Sequence, residues 1–176
     1  TEKDLLEKVR IATILGTYQS TLTHFPYLSK EWKKNCEEER LLGVSITGQW
    51  DCPALRNEKT LEKLREMAIE TNKKYAKRWG ISQSTAITCV KPSGNGSQLF
   101  DSSSGMHPRH AEYYIRRVRI ERHNPLFQML KDMGVPYLPE VGQDEKTATT
   151  FVLEFPIKAP HKAVVKKEVG AEELLN

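Results

Sequence analysis

A lysine, two serines and two glycines stand close together in Lys91-Pro92-Ser93-Gly94-Asn95-Gly96-Ser97. The stretch before them, Ser84-Thr85-Ala86-Ile87-Thr88-Cys89-Val90, is rich in β-branched residues and reads as a strand. Gly94 and Gly96 let the loop backbone take positive φ and come close to a ligand, so that successive N–H groups converge on an anion. A helix re-entered near Ser97 would add the free N–H groups of its first turn. The loop from Lys91 to Ser97 is therefore a candidate phosphate cradle. Its spacing is neither that of a Walker A loop nor that of a dinucleotide fingerprint.

The next polar stretch, Asp101-Ser102-Ser103-Ser104-Gly105-Met106-His107-Pro108-Arg109-His110, is rich in turn formers. Lys91, His107 and Arg109 are accessory candidates for the same ligand, although a plain polar connection between strands explains the last two equally well. No His, Cys, Asp or Glu trio has metal-ligand spacing, and no Ser, His and Asp set suggests acyl transfer, so neither a metal site nor a catalytic residue is assigned. Cys36, Cys52 and Cys89 form no CxxC pair and leave an odd thiol under any pairing, which favours reduced thiols. The densest positive run is Arg116-Arg117-Val118-Arg119, with Arg122 and His123 following. It offers a second function class, a nucleic-acid face with Tyr113 and Tyr114 as stacking platforms. The alternative is a charged strand paired with acidic groups such as Glu112 and Glu121.

The elements that must position these residues follow from periodicity. Leu5, Leu6, Val9, Ala12 and Leu15 mark a core-facing helix over about 2–16 that starts at the very beginning of the chain, an abrupt start that implies a larger architecture. Ser29 is an N-cap for a helix to about Leu42, stopped at Gly43. Val44-Ser45-Ile46-Thr47-Gly48 reads as a short strand with Ser45 and Thr47 leaving one face open. A long helix runs from about Asn57 to Trp79 with Leu61, Leu64, Ala68, Tyr75 and Trp79 inward, and Gly80 ends it. Helix, strand, helix, strand predicts an α/β fold with mainly parallel strands, and ligands gather at the carboxyl ends of such strands, where the glycine-serine loop lies.

Tyr113 to Ile120 reads as a strand that carries Arg116 outward and Arg117 and Arg119 on the opposite face. Asn124-Pro125 starts a helix that buries Leu126, Met129, Leu130 and Met133 and stops at Gly134. Thr149 to Phe155 is the last strand, and Val164 to Asn176 resembles the start of another helix.

At 176 residues the chain supports one core, so a single partial domain over residues 1–176 with no internal linker is expected. The net charge of +4 is mild and spread out, which does not by itself imply nucleic acid. No apolar run approaches the roughly 20 residues that span a membrane, and no signal-type apolar stretch opens the chain, so a cytoplasmic location is expected.

Four stretches together carry a resemblance. They are Glu38-Glu39-Arg40-Leu41-Leu42-Gly43-Val44-Ser45-Ile46-Thr47-Gly48, Val90-Lys91-Pro92-Ser93-Gly94-Asn95-Gly96-Ser97, Ser103-Ser104-Gly105-Met106-His107-Pro108-Arg109-His110 and Tyr113-Tyr114-Ile115-Arg116-Arg117. In this order they resemble the class II ribonucleotide reductases, nearest to the adenosylcobalamin-dependent ribonucleoside-triphosphate reductases, over nearly the whole chain.

The resemblance implies the second half of a ten-stranded α/β barrel, after the finger loop that carries the radical cysteine. It implies a ribonucleoside triphosphate as substrate, with the phosphates held by backbone N–H groups and hydroxyls of Pro92, Ser93, Gly94, Asn95, Gly96 and Ser97. Asn95 stands where the family has a threonine, which removes one hydroxyl. The family's Asn-x-Cys-Gly-Glu stretch does not occur in this sequence, and Cys36, Cys52 and Cys89 do not match the reducing cysteines. The chain alone is therefore expected to be inactive, and adenosylcobalamin is implied for the complete enzyme rather than for this segment. The missing half of the reductase, or self-association through exposed edge strands, is the partner implied. A stand-alone nucleotide or phosphate binder is the competing reading.

Overall fold

Thr1 caps the first helix, its hydroxyl accepting the Asp4 amide at 3.3 Å, and the helix α1 runs over Glu2–Gln19. The computed structural model describes residues 1–175, which form two units: Thr1–Arg109 together with the residues from Glu168 onward, and His110–Lys167.

In the first unit, α1 packs against the long helix α3 (Glu58–Trp79), which Asn57 caps through the Thr60 amide and Gly80 ends in the left-handed conformation at φ 67°. Both limits of α3 and its inward residues Leu64 and Ala68 follow the periodicity. The face of α1 does not. Ala12 and Leu15 are exposed, and the buried positions are Thr13 and Thr17. Threonine is tolerated there because each hydroxyl donates to the carbonyl four residues back, Thr13 to Val9 at 2.8 Å and Thr17 to Thr13 at 2.7 Å.

A fully buried amide explains why this polar seam is stable. The Asn72 side chain donates to the Thr17 hydroxyl at 3.0 Å and to the Ser84 hydroxyl at 2.9 Å, and its oxygen accepts the Ser84 amide at 3.0 Å. One side chain thus ties both helices to the start of the segment that leads into the glycine-serine loop.

The second helix is shorter than its apolar pattern suggests. α2 covers Lys30–Glu39, with Ser29 accepting the Trp32 amide at 3.2 Å, and it ends at Arg40 in the left-handed conformation, φ 47°, rather than at Gly43. Leu42 and Val44 are withdrawn from the helix because their amides donate to Ala86 and Ile87, each at 2.9 Å, while Cys89 donates back to Val44 at 3.1 Å. This pairing is parallel, as expected for the two stretches, but it amounts to a single bridge between Val44 and Thr88. Neither stretch forms a full strand. Two short 3-10 turns, Gln49–Asp51 and Pro53–Arg56, connect to α3, and α4 (Gly96–Leu99) follows the glycine-serine loop.

The sheet that does form is antiparallel, which corrects the expectation of mainly parallel strands. In the second unit β1 (Tyr113–Glu121), β2 (Tyr137–Pro139) and β3 (Thr150–Lys158) are ordered β1-β3-β2, both pairings antiparallel. Parallel strands need long crossovers; β1 and β3 bracket only α5 (Pro125–Asp132) and β2, and the chain folds back on itself.

Asn124 caps α5 through the Leu126 amide at 2.9 Å, as the sequence implies. The helix is rotated from the expected stripe. Phe127 and half-buried Leu130 face inward, and Leu126, Met129 and Met133 are exposed. Aromatic geometry sets this choice: Phe127 stacks on Phe151 at 4.6 Å, and Tyr137 meets both rings edge-on at 5.5 Å.

The arginines of β1 are likewise the other way round, with Arg117 and Arg119 on the exposed side and Arg116 half-buried. Arg117 pairs with Glu154 at 2.8 Å across the strand register, and Arg119 pairs with Glu140. The last expected helix is reduced to a 3-10 turn at Lys166–Glu168 and α6 (Ala171–Leu175); its final residue, Asn176, lies outside the described residues. No described helix is long and apolar enough to cross a membrane.

Asn72→Leu removes three hydrogen bonds from a fully buried site, leaves the Ser84 amide unpaired and takes one partner each from the Thr17 and Ser84 hydroxyls. It is expected to lower the unfolding free energy by about 2–4 kcal/mol, read by urea denaturation followed by circular dichroism. A loss below about 1 kcal/mol would show that the seam is held by the helix packing alone.

Candidate functional site

The glycine-serine loop is shaped by the segment 101–109, which lies beside it. Ser93 Oγ donates to Ser97 Oγ at 2.9 Å and also bonds Ser104 Oγ at 2.7 Å. Ser102 donates its amide to the Ser97 carbonyl at 2.8 Å. Gly105, at φ 58°, passes so close that a Cβ there would meet the Lys91 carbonyl at 3.3 Å. A side chain at Gly105 would both strain the turn and push the two segments apart.

Within the loop Gly94 takes φ 54°, whereas Gly96, expected to do the same, opens α4 without positive φ; the space around both is open, with no atom within 4 Å of where a Cβ would sit. Gly96 donates to the Ser93 carbonyl at 3.1 Å, and Gln98 and Leu99 both donate to the Asn95 carbonyl at 3.1 Å. No hydrogen bond among the described residues uses the amides of Ser93 and Gly94. Pro92 and Asn95 are exposed, Ser93 and Gly96 half-buried, and Ser97 buried. The structure thus brings the six cradle candidates into one turn, with two hydroxyls linked beside two uncommitted amides.

The accessory candidates are placed differently from one another. Lys91 is exposed, and its ammonium reaches back over Gly43, where a Cβ would meet Nζ at 3.2 Å. It lines an open groove of about 820 Å³ between α1, α2 and the segment 41–45. His107 is exposed and donates its amide to Ser104 at 2.9 Å.

Arg109 is buried, with 5% of its side chain accessible, and faces carboxylates rather than open space. Its guanidinium donates Nη2 to Asp51 at 2.9 Å and Nη1 to Asp101 at 2.7 Å, and Nη2 also reaches the Asp101 carbonyl. Burial works against the charged form, yet the bonds to Asp51 and Asp101 outweigh it and hold the Arg109 pKa above the ordinary arginine value.

Two residues that sequence reasoning did not single out root this arrangement. Asp51 Oδ2 also accepts the Ser103 amide at 2.7 Å. The Thr47 hydroxyl accepts the Gly105 amide at 2.9 Å and contacts the Ser103 carbonyl at 3.3 Å, so the hydroxyl face expected to stay open is engaged. The signal for Asp51 was its place in the turn-forming run Gln49-Trp50-Asp51-Cys52-Pro53, but its partners are about fifty residues away and no local pattern records them.

Helices packed with short extended segments, and a loop whose backbone and hydroxyls suit an anion, define an α/β protein with a candidate anion-binding loop. Over 178 residues the chain is 37% identical to an adenosylcobalamin-dependent ribonucleoside-triphosphate reductase of Lactobacillus leichmannii, an alignment covering 85% of this chain and 24% of the relative. It is 29% identical over 185 residues to the enzyme of the same name from Lactobacillus gasseri, covering 89% of this chain and 24% of the relative. A crystal structure of a B12-dependent, class II ribonucleotide reductase matches with a TM-score of 0.67 at 25% identity, over 86% of this chain and 25% of that one. No protein-family model matches. The chain is similar to a segment of the class II ribonucleotide reductases and spans about a quarter of the length of the relatives it matches.

Arg109→Met leaves the Asp51 and Asp101 carboxylates without their shared cation, and the Asp51 side chain is only a quarter exposed. We expect a loss of about 2–3 kcal/mol in thermal or chemical unfolding. Asp101→Asn, at a side chain 73% exposed, should cost under about 1 kcal/mol. Equal losses in the two variants would contradict this ranking.

Proposed function

We propose that this chain supplies the substrate-phosphate loop of a class II ribonucleotide reductase. The observation that carries the reading is the turn at 92–97: Gly94 at positive φ under open space, uncommitted amides at Ser93 and Gly94, and the Ser93 and Ser97 hydroxyls on the same turn. A triphosphate has charge to spread over such donors, and hydrogen bonds from amides to an anion are stronger than those to a neutral acceptor. Ser93 and Ser97 add donors that can rotate toward whichever phosphate oxygen is presented. Asn95, in place of the family's threonine, leaves backbone donation intact and removes one hydroxyl. The Lys91 ammonium is close enough along the chain to add long-range attraction, and exposed His107 is the other accessory candidate. Arg109 contributes by holding the neighbouring turn.

In this reading the two units are successive parts of one partial domain, about half of an α/β barrel, and the remainder of the reductase polypeptide covers what this segment leaves open. Exposed Leu126 and Met129 on α5 with Met133 just after it, and Leu15 and Leu22 beside the 820 Å³ groove, are surfaces of the kind such a remainder would bury. The nine-residue strand β1 pairs with β3 and is an outer strand of its sheet, so a second copy is the other candidate for that edge. Adenosylcobalamin, when bound to the complete enzyme, supplies the radical that starts reduction; no residue of this segment is assigned to it. The radical cysteine, its carboxylate partner and the reducing thiols would likewise come from elsewhere, so the isolated chain binds without turning over. The nucleic-acid reading of β1 loses ground because Arg117 and Arg119 are already paired with Glu154 and Glu140.

Titration calorimetry with a ribonucleoside triphosphate tests the loop. Ser93→Ala should weaken binding about 5- to 10-fold, the worth of one hydrogen bond to an anion. Gly94→Val forces a β-branched residue into φ 54° and should weaken it by more than about 10-fold. No heat with the wild-type chain would sink the reading. Reduction restored by mixing the chain with a polypeptide carrying the remaining half and adenosylcobalamin separates a reductase segment from a stand-alone phosphate binder.

A further inference from the structure

The hydroxyl of Ser93 has two neighbours, and this decides what it can give a ligand. It donates to Ser97 Oγ at 2.9 Å, and Ser104 Oγ stands 2.7 Å away on its other side. A hydroxyl carries one proton and two lone pairs. With its own proton directed to Ser97, Ser93 accepts from Ser104. When an anion arrives, Ser93 can turn its proton from Ser97 to a phosphate oxygen while Ser104 continues to donate to it. Ser104 thus holds the Ser93 oxygen in place through the exchange.

Ser104 is exposed, and its position follows from the backbone on either side of it. Asp51 Oδ2 binds the Ser103 amide at 2.7 Å, Thr47 Oγ1 binds the Gly105 amide at 2.9 Å, and Gly48 donates to the Ser103 carbonyl at 2.9 Å. Asp51 is itself fixed by the buried Arg109 guanidinium, whose Nε and Nη2 lie 3.2 and 2.9 Å from the same oxygen. A continuous path therefore runs from Arg109 through Asp51 and the Ser103 amide to Ser104 and then Ser93.

We infer that Ser104 and Asp51 are positioning residues for the anion held at 92–97, acting through the Ser93 hydroxyl; this rests on the phosphate reading of the loop. Their substitution changes the affinity of a loop they do not line, and because they act along one path their effects are not independent.

The test is a double-mutant cycle on the 176-residue chain, with inorganic tripolyphosphate as the probe and affinity measured calorimetrically. Amide hydrogen exchange of the ligand-free chain is followed in parallel. Ser104→Ala and Asp51→Asn should each weaken binding about 5- to 10-fold, and the double variant should do no worse than about 10-fold. Ser104→Thr, which keeps the hydroxyl, should restore affinity to within about 3-fold of wild type. Asp51→Asn should speed exchange at Ser103 while α3 keeps its wild-type protection.

Multiplying effects, about 25-fold or more in the double variant, would overturn the proposal, as would unchanged affinity in Ser104→Ala. So would a loss in Asp51→Asn accompanied by equal loss of protection in α3, which marks general destabilisation. Wild-type chain that binds no tripolyphosphate refutes the phosphate reading itself. In that event the proposed role falls with it, and the exchange at Ser103 still shows whether Asp51 fixes the turn.

Discussion

A guanidinium enclosed by protein is the constraint around which the candidate site is arranged. Arginine does not give up its proton, so burying Arg109 obliges the fold to bring carboxylates to it. Asp51 and Asp101 arrive from two turns separated by about fifty residues of chain, and both are short side chains that must approach closely. Once they do, the turn at 101–105 has little freedom left. Its amides are consumed by Asp51 and Thr47, and its hydroxyl at Ser104 is delivered to Ser93. A buried ion pair is poor evidence of net stability, because desolvation offsets much of the attraction. It is better understood here as fixing which of several polar turns the chain adopts.

What the sequence revealed and what it hid divide along the range of the interactions. Both ends of α3, the Ser29 and Asn124 caps and the positive-φ glycine in the loop were legible because each depends on residues within one turn of it. The end of α2 was not. Gly43 is a good stop signal, but the amides of Leu42 and Val44 find partners at Ala86 and Ile87, and long-range pairing overrides the local signal. The buried faces of α1 and α5 were misjudged for a related reason. Hydrophobicity ranks Leu15 above Thr17, and helical spacing put Met129 rather than Phe127 in the buried stripe; the structure chooses Thr17 because Asn72 can bond it, and Phe127 because Phe151 can stack on it.

The same division holds at the site. The loop is one contiguous run, so composition and spacing were enough to single it out as a candidate, and the resemblance supplied the individual residues. Arg109 was found for its charge and placed by the structure in a role that charge alone does not distinguish, since a ligand-facing arginine and a carboxylate-bound one look alike in sequence. Asp51 and Thr47 were missed because a lone Asp before Cys-Pro and a Thr before Gly are ordinary turn residues. Only the fold shows that their acceptors point at amides some fifty residues on.

The contrast between the two neighbouring turns explains why glycine recurs in both for opposite reasons. At Gly105 the backbone is left-handed and also crowded, because a Cβ would press on the Lys91 carbonyl. At Gly94 the surroundings are empty, and what is needed is the left-handed conformation and unobstructed amides. The crowded turn is the support and the open one presents donors. A loop meant to bind an anion has to keep its amides unpaired without letting them collapse onto its own carbonyls. Under the proposed phosphate reading, buttressing from a neighbour that is itself held by a buried charge serves this end, since the cost of ordering the loop is met on folding rather than at the moment of binding.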